Sequence, residues 1–258
     1  MKKIFAIGKV VLLEMYRRKD FYVLFIVTAL VTAVMGSVTF FNNTQIVRYL
    51  KAICLFLIWA SSLFIAIGAT ARQIPAERES RTIFPLMAKP VSRAQILLGK
   101  FLGCWLACGA ALLIFYIFFG CVAATREQQW PLANYFQAWA LHWAMLGIVV
   151  AMTLLGSLVL TAVSSNITIT FIATVAILLV GRYLHKVALT MSEPSAVAIT
   201  GLYYVIPHLE LFDVRDLIVQ DWPPIPWGIW LIDLVYAATY TALLLLMSWL
   251  VFRRKVLR

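Results

Sequence analysis

The stretch Arg72-Gln-Ile-Pro-Ala-Glu-Arg-Glu-Ser-Arg-Thr-Ile-Phe-Pro-Leu-Met-Ala-Lys-Pro-Val-Ser-Arg-Ala-Gln-Ile-Leu-Leu-Gly-Lys100 decides how the rest of the chain is read. It is the one long, highly charged segment between two apolar runs, and it sets Arg72, Arg78, Arg81, Lys89, Arg93 and Lys100 against Glu77 and Glu79. A polybasic loop between membrane spans stays on the cytoplasmic side. Pro75, Pro85 and Pro90 each fix φ and remove a backbone donor, so short helical pieces with bends are expected over residues 72–100. A bent, charged element beside spanning helices is well shaped to dock a soluble partner.

Working outward, 63% of the 258 residues are hydrophobic and 13% charged, with a mean hydropathy of +0.92. A soluble domain carries about a quarter charged residues. Apolar runs of about 18 residues or more recur, and each reads as a transmembrane helix, because lipid offers no partner for an open backbone. The expected fold is all-α: a polytopic membrane protein with six transmembrane helices, one domain over residues 1–258. The four cysteines, Cys54, Cys104, Cys108 and Cys121, lie inside apolar runs and read as small apolar side chains.

Residues 1–20 place Ile4, Ile7, Val11 and Met15 at helical spacing among six basic residues, the pattern of an amphipathic interface helix. Lys9 and Glu14 interrupt the apolar run, which argues against a signal peptide. The spans are expected at about Phe21–Phe41, Ala52–Ala71, Phe101–Ala124, Ala138–Val163, Ile169–Leu184 and Gly228–Val251. Gly99 and Gly103 form a small-xxx-small pair suited to close helix approach. Ser164–Thr168 reads as an inner turn. Residues 185–227 form an outer segment: Pro194–Ile206 is too short to cross and reads as re-entrant, and His208–Gln220 reads as a short amphipathic helix.

Charge tests this topology. The N-terminal segment, the charged loop and the C-terminus hold 16 of the 22 Lys and Arg residues against Glu14, Asp20, Glu77 and Glu79, whereas the other side has a slight acidic excess. That asymmetry places both termini in the cytoplasm of a multi-pass inner-membrane protein. It also accounts for the net charge of +11 without nucleic acid.

No GxxxxGK[ST] loop, His-Glu-x-x-His or Gly-x-Ser-x-Gly occurs in the sequence. His142, His185 and His208 come from different segments, and a shared site for them would be needed by an intramembrane enzyme. Asp233, near the start of the last span, reads as reaching the outer interface or pairing with Arg182. The spans hold almost no ionisable residues at their centres, which counts against a stand-alone secondary transporter or channel. A membrane anchor that recruits a soluble partner is the other alternative.

Glu77-Arg78-Glu79-Ser80-Arg81-Thr82-Ile83, then Pro90-Val91-Ser92-Arg93, then Gly99-Lys100 form an ordered series. In this series the chain resembles the permease subunits of type 2 ABC exporters, and most nearly permeases similar to that of the nitrous-oxide-reductase maturation transporter. Arg81 stands where many members have Gly, and Pro85 where they have a helix-compatible residue. The resemblance implies a coupling helix within residues 73–93 seated on a separate ABC ATPase. It also implies two permeases, alike or paralogous, with two ATPases, and ATP and Mg bound by the ATPase and no cofactor in this chain. It assigns ATPase coupling to Glu77, Arg78, Glu79, Arg81, Thr82, Pro90 and Arg93. Arg93 and Lys100 could equally serve as phospholipid anchors. The cargo expected from the uncharged spans is amphiphilic or apolar.

Overall fold

A computed structural model describes residues 2–17, 44–79, 91–127, 132–190, 199–201, 203 and 205–254, with isolated helical residues (26, 29–31, 33 and 34) between them. All regular structure among these residues is helical. The elements are α1 (Lys2–Tyr16), α2 (Thr44–Ala71), α3 (Pro75–Glu79), α4 (Arg93–Glu127), α5 (Leu132–Val159) and α6 (Val163–Thr190). A 3-10 turn at Leu209–Phe212, α7 (Arg215–Val219) and α8 (Trp227–Arg254) follow. Four stretches, Lys51–Glu77, Arg93–Ala124, Leu132–Val159 and Trp227–Arg254, are long and apolar enough to cross a membrane, and Val163–Leu179 is a shorter apolar helix. The span expected at Phe21–Phe41 lies largely outside the described residues, as does most of Pro194–Ile206.

α5 is the hub. It packs against α2, α4, α6 and α8, and Met145–Ala151 are all buried, with no polar stripe among them. A helix apolar all round belongs in the centre of a bundle. Its 28 residues reach about 42 Å at 1.5 Å per residue, enough to cross a bilayer. Inside lipid the helices are held by packing and hydrogen bonds, because lipid tails are as apolar as leucine. One such tie is reciprocal: Trp105 Nε1 donates to the Trp143 carbonyl and Trp143 Nε1 to the Trp105 carbonyl, both at 3.0 Å. The two indoles stack with centroids 4.5 Å apart. Gly109 makes room for this pair, since a Cβ there would collide with the Trp143 indole.

α1 lies along α4. Gly8, Val11 and Met15 are buried and Ile4 and Ile7 half-buried, so the expected stripe is the face that packs. A Cβ on Gly99 would stand 2.7 Å from Ile7 Cβ, and one on Gly103 would stand 2.7 Å from Val11 Cβ and 2.8 Å from the Gly8 carbonyl. The small-xxx-small pair therefore receives α1. Phe5, Val10, Leu12 and Leu13 remain exposed beside Lys3, Lys9 and Arg17, a mixed surface suited to a headgroup layer.

Several expected boundaries move. The break between α5 and α6 falls at Leu160–Ala162, and Ser164–Thr168 sits in the first turns of α6. Those polar residues have partners across the helix pair: Asn166 Nδ2 donates to the Thr153 carbonyl at 3.1 Å, and Thr170 Oγ1 donates to Asn166 Oδ1 at 3.2 Å. The last eight residues of the charged loop, Arg93 to Lys100, are already α4. The single helix expected at His208–Gln220 is two short pieces, the 3-10 turn and α7, separated at Asp213 and Val214.

The segment after the 3-10 turn is stitched to the ends of α2 and α5. Gln137 accepts from the Ile225 N–H at 2.9 Å and donates to its carbonyl at 2.8 Å. Asn134 donates to the Trp222 carbonyl at 2.8 Å. Lys51 Nζ lies 3.1 Å from Asp221 Oδ1, on a residue whose φ of 53° is in the left-handed region that Asp tolerates better than most.

Candidate functional site

At the end of the bundle that carries the charged loop, α2 stops at Ala71 and the chain turns through Arg72–Ile74 into α3. Pro75 opens α3, where its missing N–H costs nothing. Gln73, Ile74 and Pro75 are buried. The reason lies on α4: Lys100 is only 1% exposed, and its ammonium sits 2.7 Å from the Gln73 carbonyl and 2.8 Å from Glu77 Oε1. A buried ammonium has to be paired, so Lys100 is a brace holding α3 onto α4. That enclosure rules out Lys100 as a phospholipid anchor.

Ser92 begins α4 with a reciprocal cap. Its backbone N–H donates to Gln95 Oε1 at 3.1 Å, and the Gln95 N–H donates to Ser92 Oγ at 3.3 Å. This is the S-x-x-Q capping box. Arg93 then stands at the positive end of the α4 dipole, an unfavourable place for a cation. Its guanidinium reaches instead to the opposite pole of α8, donating to the carbonyl of Phe252 and, at 3.3 Å, to that of Arg253. It also lies 5.4 Å from the centre of the Phe252 ring. Two of the carbonyls that every helix C-terminus leaves open are thereby satisfied.

The loop is thus held at both ends, to α4 at its entry and to α8 at its exit. Of the residues assigned to coupling by resemblance, Glu77 belongs to the entry brace and Arg93 to the exit brace. Arg78 and Glu79 lie on α3. Arg81, Thr82 and Pro90 lie outside the described residues. Glu77 and Arg93 thus hold the loop, whatever else they touch.

At the far end, Arg215 on α7 forms a fork with Asp213, Nε to Oδ1 at 2.7 Å and Nη2 to Oδ2 at 2.9 Å. Its guanidinium also lies 5.6 Å from the Phe56 ring centre and 5.1 Å from that of Trp59 on α2. Burial alone would lower the Arg215 pKa, but the hydrogen bonds and charge of Asp213, with Asp216 nearby, hold it above its ordinary value.

His142 and His208 do not meet, and the side chain of His185 lies outside the described ones. His208 pairs with Glu210 at 3.2 Å. His142 is enclosed in the bundle, with Ser62 Oγ 2.8 Å from Nε2 and the Tyr116 hydroxyl 3.5 Å from Nδ1. Ser62 Oγ also lies 2.8 Å from the Trp59 carbonyl, so this hydroxyl links the His142 ring to the α2 backbone. With Ser62 at 4%, His142 at 3% and Tyr116 at 5% exposure, this is a polar tie between α2, α4 and α5, closed to a substrate. No group of three metal-ligating side chains occurs among the described residues.

Sequence reasoning missed both braces. The capping box was readable as Ser92-x-x-Gln95, but pairings across 27 residues (Lys100 to Gln73) and 159 residues (Arg93 to Phe252) leave no local signal. A family model described as "ABC-2 family transporter protein" matches residues 6–255. Comparison with curated protein sequences returns no match.

Proposed function

The chain belongs to the ABC-2 family of transporter proteins, and from that membership we propose that it is the permease half of an exporter or flippase driven by a separate ATPase docked on residues 73–93. The working unit is two permeases, as a homodimer or with a paralogue, and two ABC ATPases that bind ATP and Mg. In this reading six spans set both termini on one side of the membrane, and the basic excess of the termini and the charged loop makes that side the cytoplasmic face of the inner membrane. The relation to nitrous-oxide-reductase maturation permeases rests on the motif series alone.

The observation that carries this reading is the bracing of the loop. A soft loop would absorb a push. The described flanks of this one are fixed to α4 by Lys100 and to α8 by Arg93, and in this scheme a push on the loop passes through those flanks to spanning helices that move as near-rigid rods. The ATPase pair, closing on ATP, supplies the push; α3 and the residues after it receive it. Arg78 and Glu79 are the charged contacts in this scheme.

In the reconstituted complex, Arg78→Ala and Glu79→Ala are expected to lower transport at least tenfold while the chain inserts normally and the ATPase still hydrolyses ATP. Native transport and native substrate-stimulated hydrolysis in both variants would remove the loop from the mechanism.

A further inference from the structure

α1 packs on α4 through one face and leaves another open. Val10, Leu13, Glu14 and Arg17 follow one another at i, i+3, i+4 and i+7, the spacing of a single helical stripe. Arg17, just past the last residue of α1, keeps that register, because its N–H reaches the Leu13 and Glu14 carbonyls, each at 3.2 Å. All four side chains are exposed, and all four line one recess of about 460 Å³. Buried Val11 and Met15 point to another side, toward α4.

The two charges in this recess are opposite and one turn apart, where side chains on a helix surface ordinarily pair. Here they do not. Neither the Glu14 carboxylate nor the Arg17 guanidinium is hydrogen-bonded or ion-paired to the other, or to any other described residue. In sequence Arg18, Lys19 and Asp20 follow, and the apolar run begins at Phe21. With the basic excess on the inner side, this end of α1 meets the headgroup layer of the inner leaflet.

An occupant of that recess has three demands to meet. The guanidinium calls for a phosphate, onto which it can fork. The carboxylate calls for a cation that donates hydrogen bonds. Val10 and Leu13 call for hydrocarbon beside both. Phosphatidylethanolamine meets all three: two methylenes separate its phosphate from a primary ammonium, which suits groups whose Cβ atoms stand about 5–6 Å apart. Phosphatidylcholine carries the same charges, but its methylated ammonium has no hydrogen to give. Phosphatidylglycerol supplies the phosphate and leaves Glu14 beside a like charge.

We propose that the open face of α1 is a binding site for phosphatidylethanolamine, with Arg17 on the phosphate, Glu14 on the ammonium, and Val10 and Leu13 against the glycerol and first methylenes. Lys9, exposed on another side of α1, attracts anionic lipid by charge alone, whereas the Glu14–Arg17 pair tells one headgroup from another. The site needs neither an ATPase nor a cargo, so it goes beyond the permease reading and is tested on the purified chain.

Native mass spectrometry of the full chain, titrated separately with the dioleoyl forms of the three lipids, gives the dissociation constant of the first lipid bound. Dioleoylphosphatidylethanolamine is expected to bind about fivefold more tightly than the choline lipid, the worth of one exposed charged contact. Glu14→Gln should bring those two lipids to within about twofold of each other, and phosphatidylglycerol should lose nothing. Arg17→Gln and Leu13→Ser should each weaken the ethanolamine and choline lipids together. Soluble O-phosphoethanolamine should not displace the lipid; displacement would make the recess a site for the free headgroup and overturn the lipid assignment. Equal binding of the ethanolamine and choline lipids, a preference that survives Glu14→Gln with native thermal stability, or an equal loss of phosphatidylglycerol in that variant would overturn the proposal and leave α1 a basic surface without headgroup selectivity.

Discussion

Replacing Lys100 with Met tests the entry brace, because the side chain keeps most of its length and loses only the ammonium. Two contacts disappear, to the Gln73 carbonyl at 2.7 Å and to Glu77 Oε1 at 2.8 Å. A hydrogen bond involving a charged group contributes about 1.5–3 kcal/mol. The Gln73 contact is buried and should count in that range. Glu77 keeps 31% side-chain exposure, so water replaces part of its loss and its share falls to about 1 kcal/mol. The variant should therefore be destabilised by about 2–4 kcal/mol. Glu77→Gln should cost about 1 kcal/mol, since the amide oxygen still accepts from Lys100. The assay is equilibrium unfolding of the native chain and both single variants in one detergent, completed by the double variant Lys100→Met/Glu77→Gln. Residues in direct contact are non-additive, so the double variant should lose about 1 kcal/mol less than the two single losses combined. Strict additivity, or a Lys100→Met loss below about 0.5 kcal/mol, would refute the reasoning.

Gly103→Ala forces a methyl group against Val11 and the Gly8 carbonyl, and overpacking of this kind costs about 1–3 kcal/mol. Limited trypsin digestion should then cut after Lys9 or Arg17 faster than in the native chain, whereas Gly68→Ala, with nothing within 4 Å of the new atom, should not change the rate. Arg93→Gln should fray the end of α8, raising amide exchange over its last turn several-fold. Gln137→Ala removes the acceptor of the Ile225 N–H, and exchange of that amide should quicken about tenfold or more, with a stability loss of about 2 kcal/mol.

What the residues revealed beforehand follows from the range of the forces involved. Helices were legible because apolar runs of spanning length have few other solutions in lipid. The α1 stripe of Ile4, Ile7, Val11 and Met15, and the Gly99–Gly103 pair, were legible because each is periodic within one element. Ser164–Thr168 misled for the converse reason. Its hydroxyls and amide read as turn formers when seen alone, yet Asn166 is committed to Thr153 on the neighbouring helix. On sequence alone Lys100 serves equally well as a coupling contact or a phospholipid anchor, because nothing near it in sequence announces its enclosure by residues 73–77. His142 was grouped with the other histidines by residue type, although its partners, Ser62 and Tyr116, are on α2 and α4.

A photocrosslinking amino acid at position 84, within the charged loop, tests most directly whether a motor protein grips this chain. Illumination of intact cells followed by mass spectrometry of the purified adduct should yield an ATP-binding cassette protein bonded to the loop, with far less adduct when the same crosslinker replaces Gln220 at the opposite end. Adducts lacking any ATPase, or labelling of position 84 by a membrane-impermeant reagent added outside the cell, would contradict the reading.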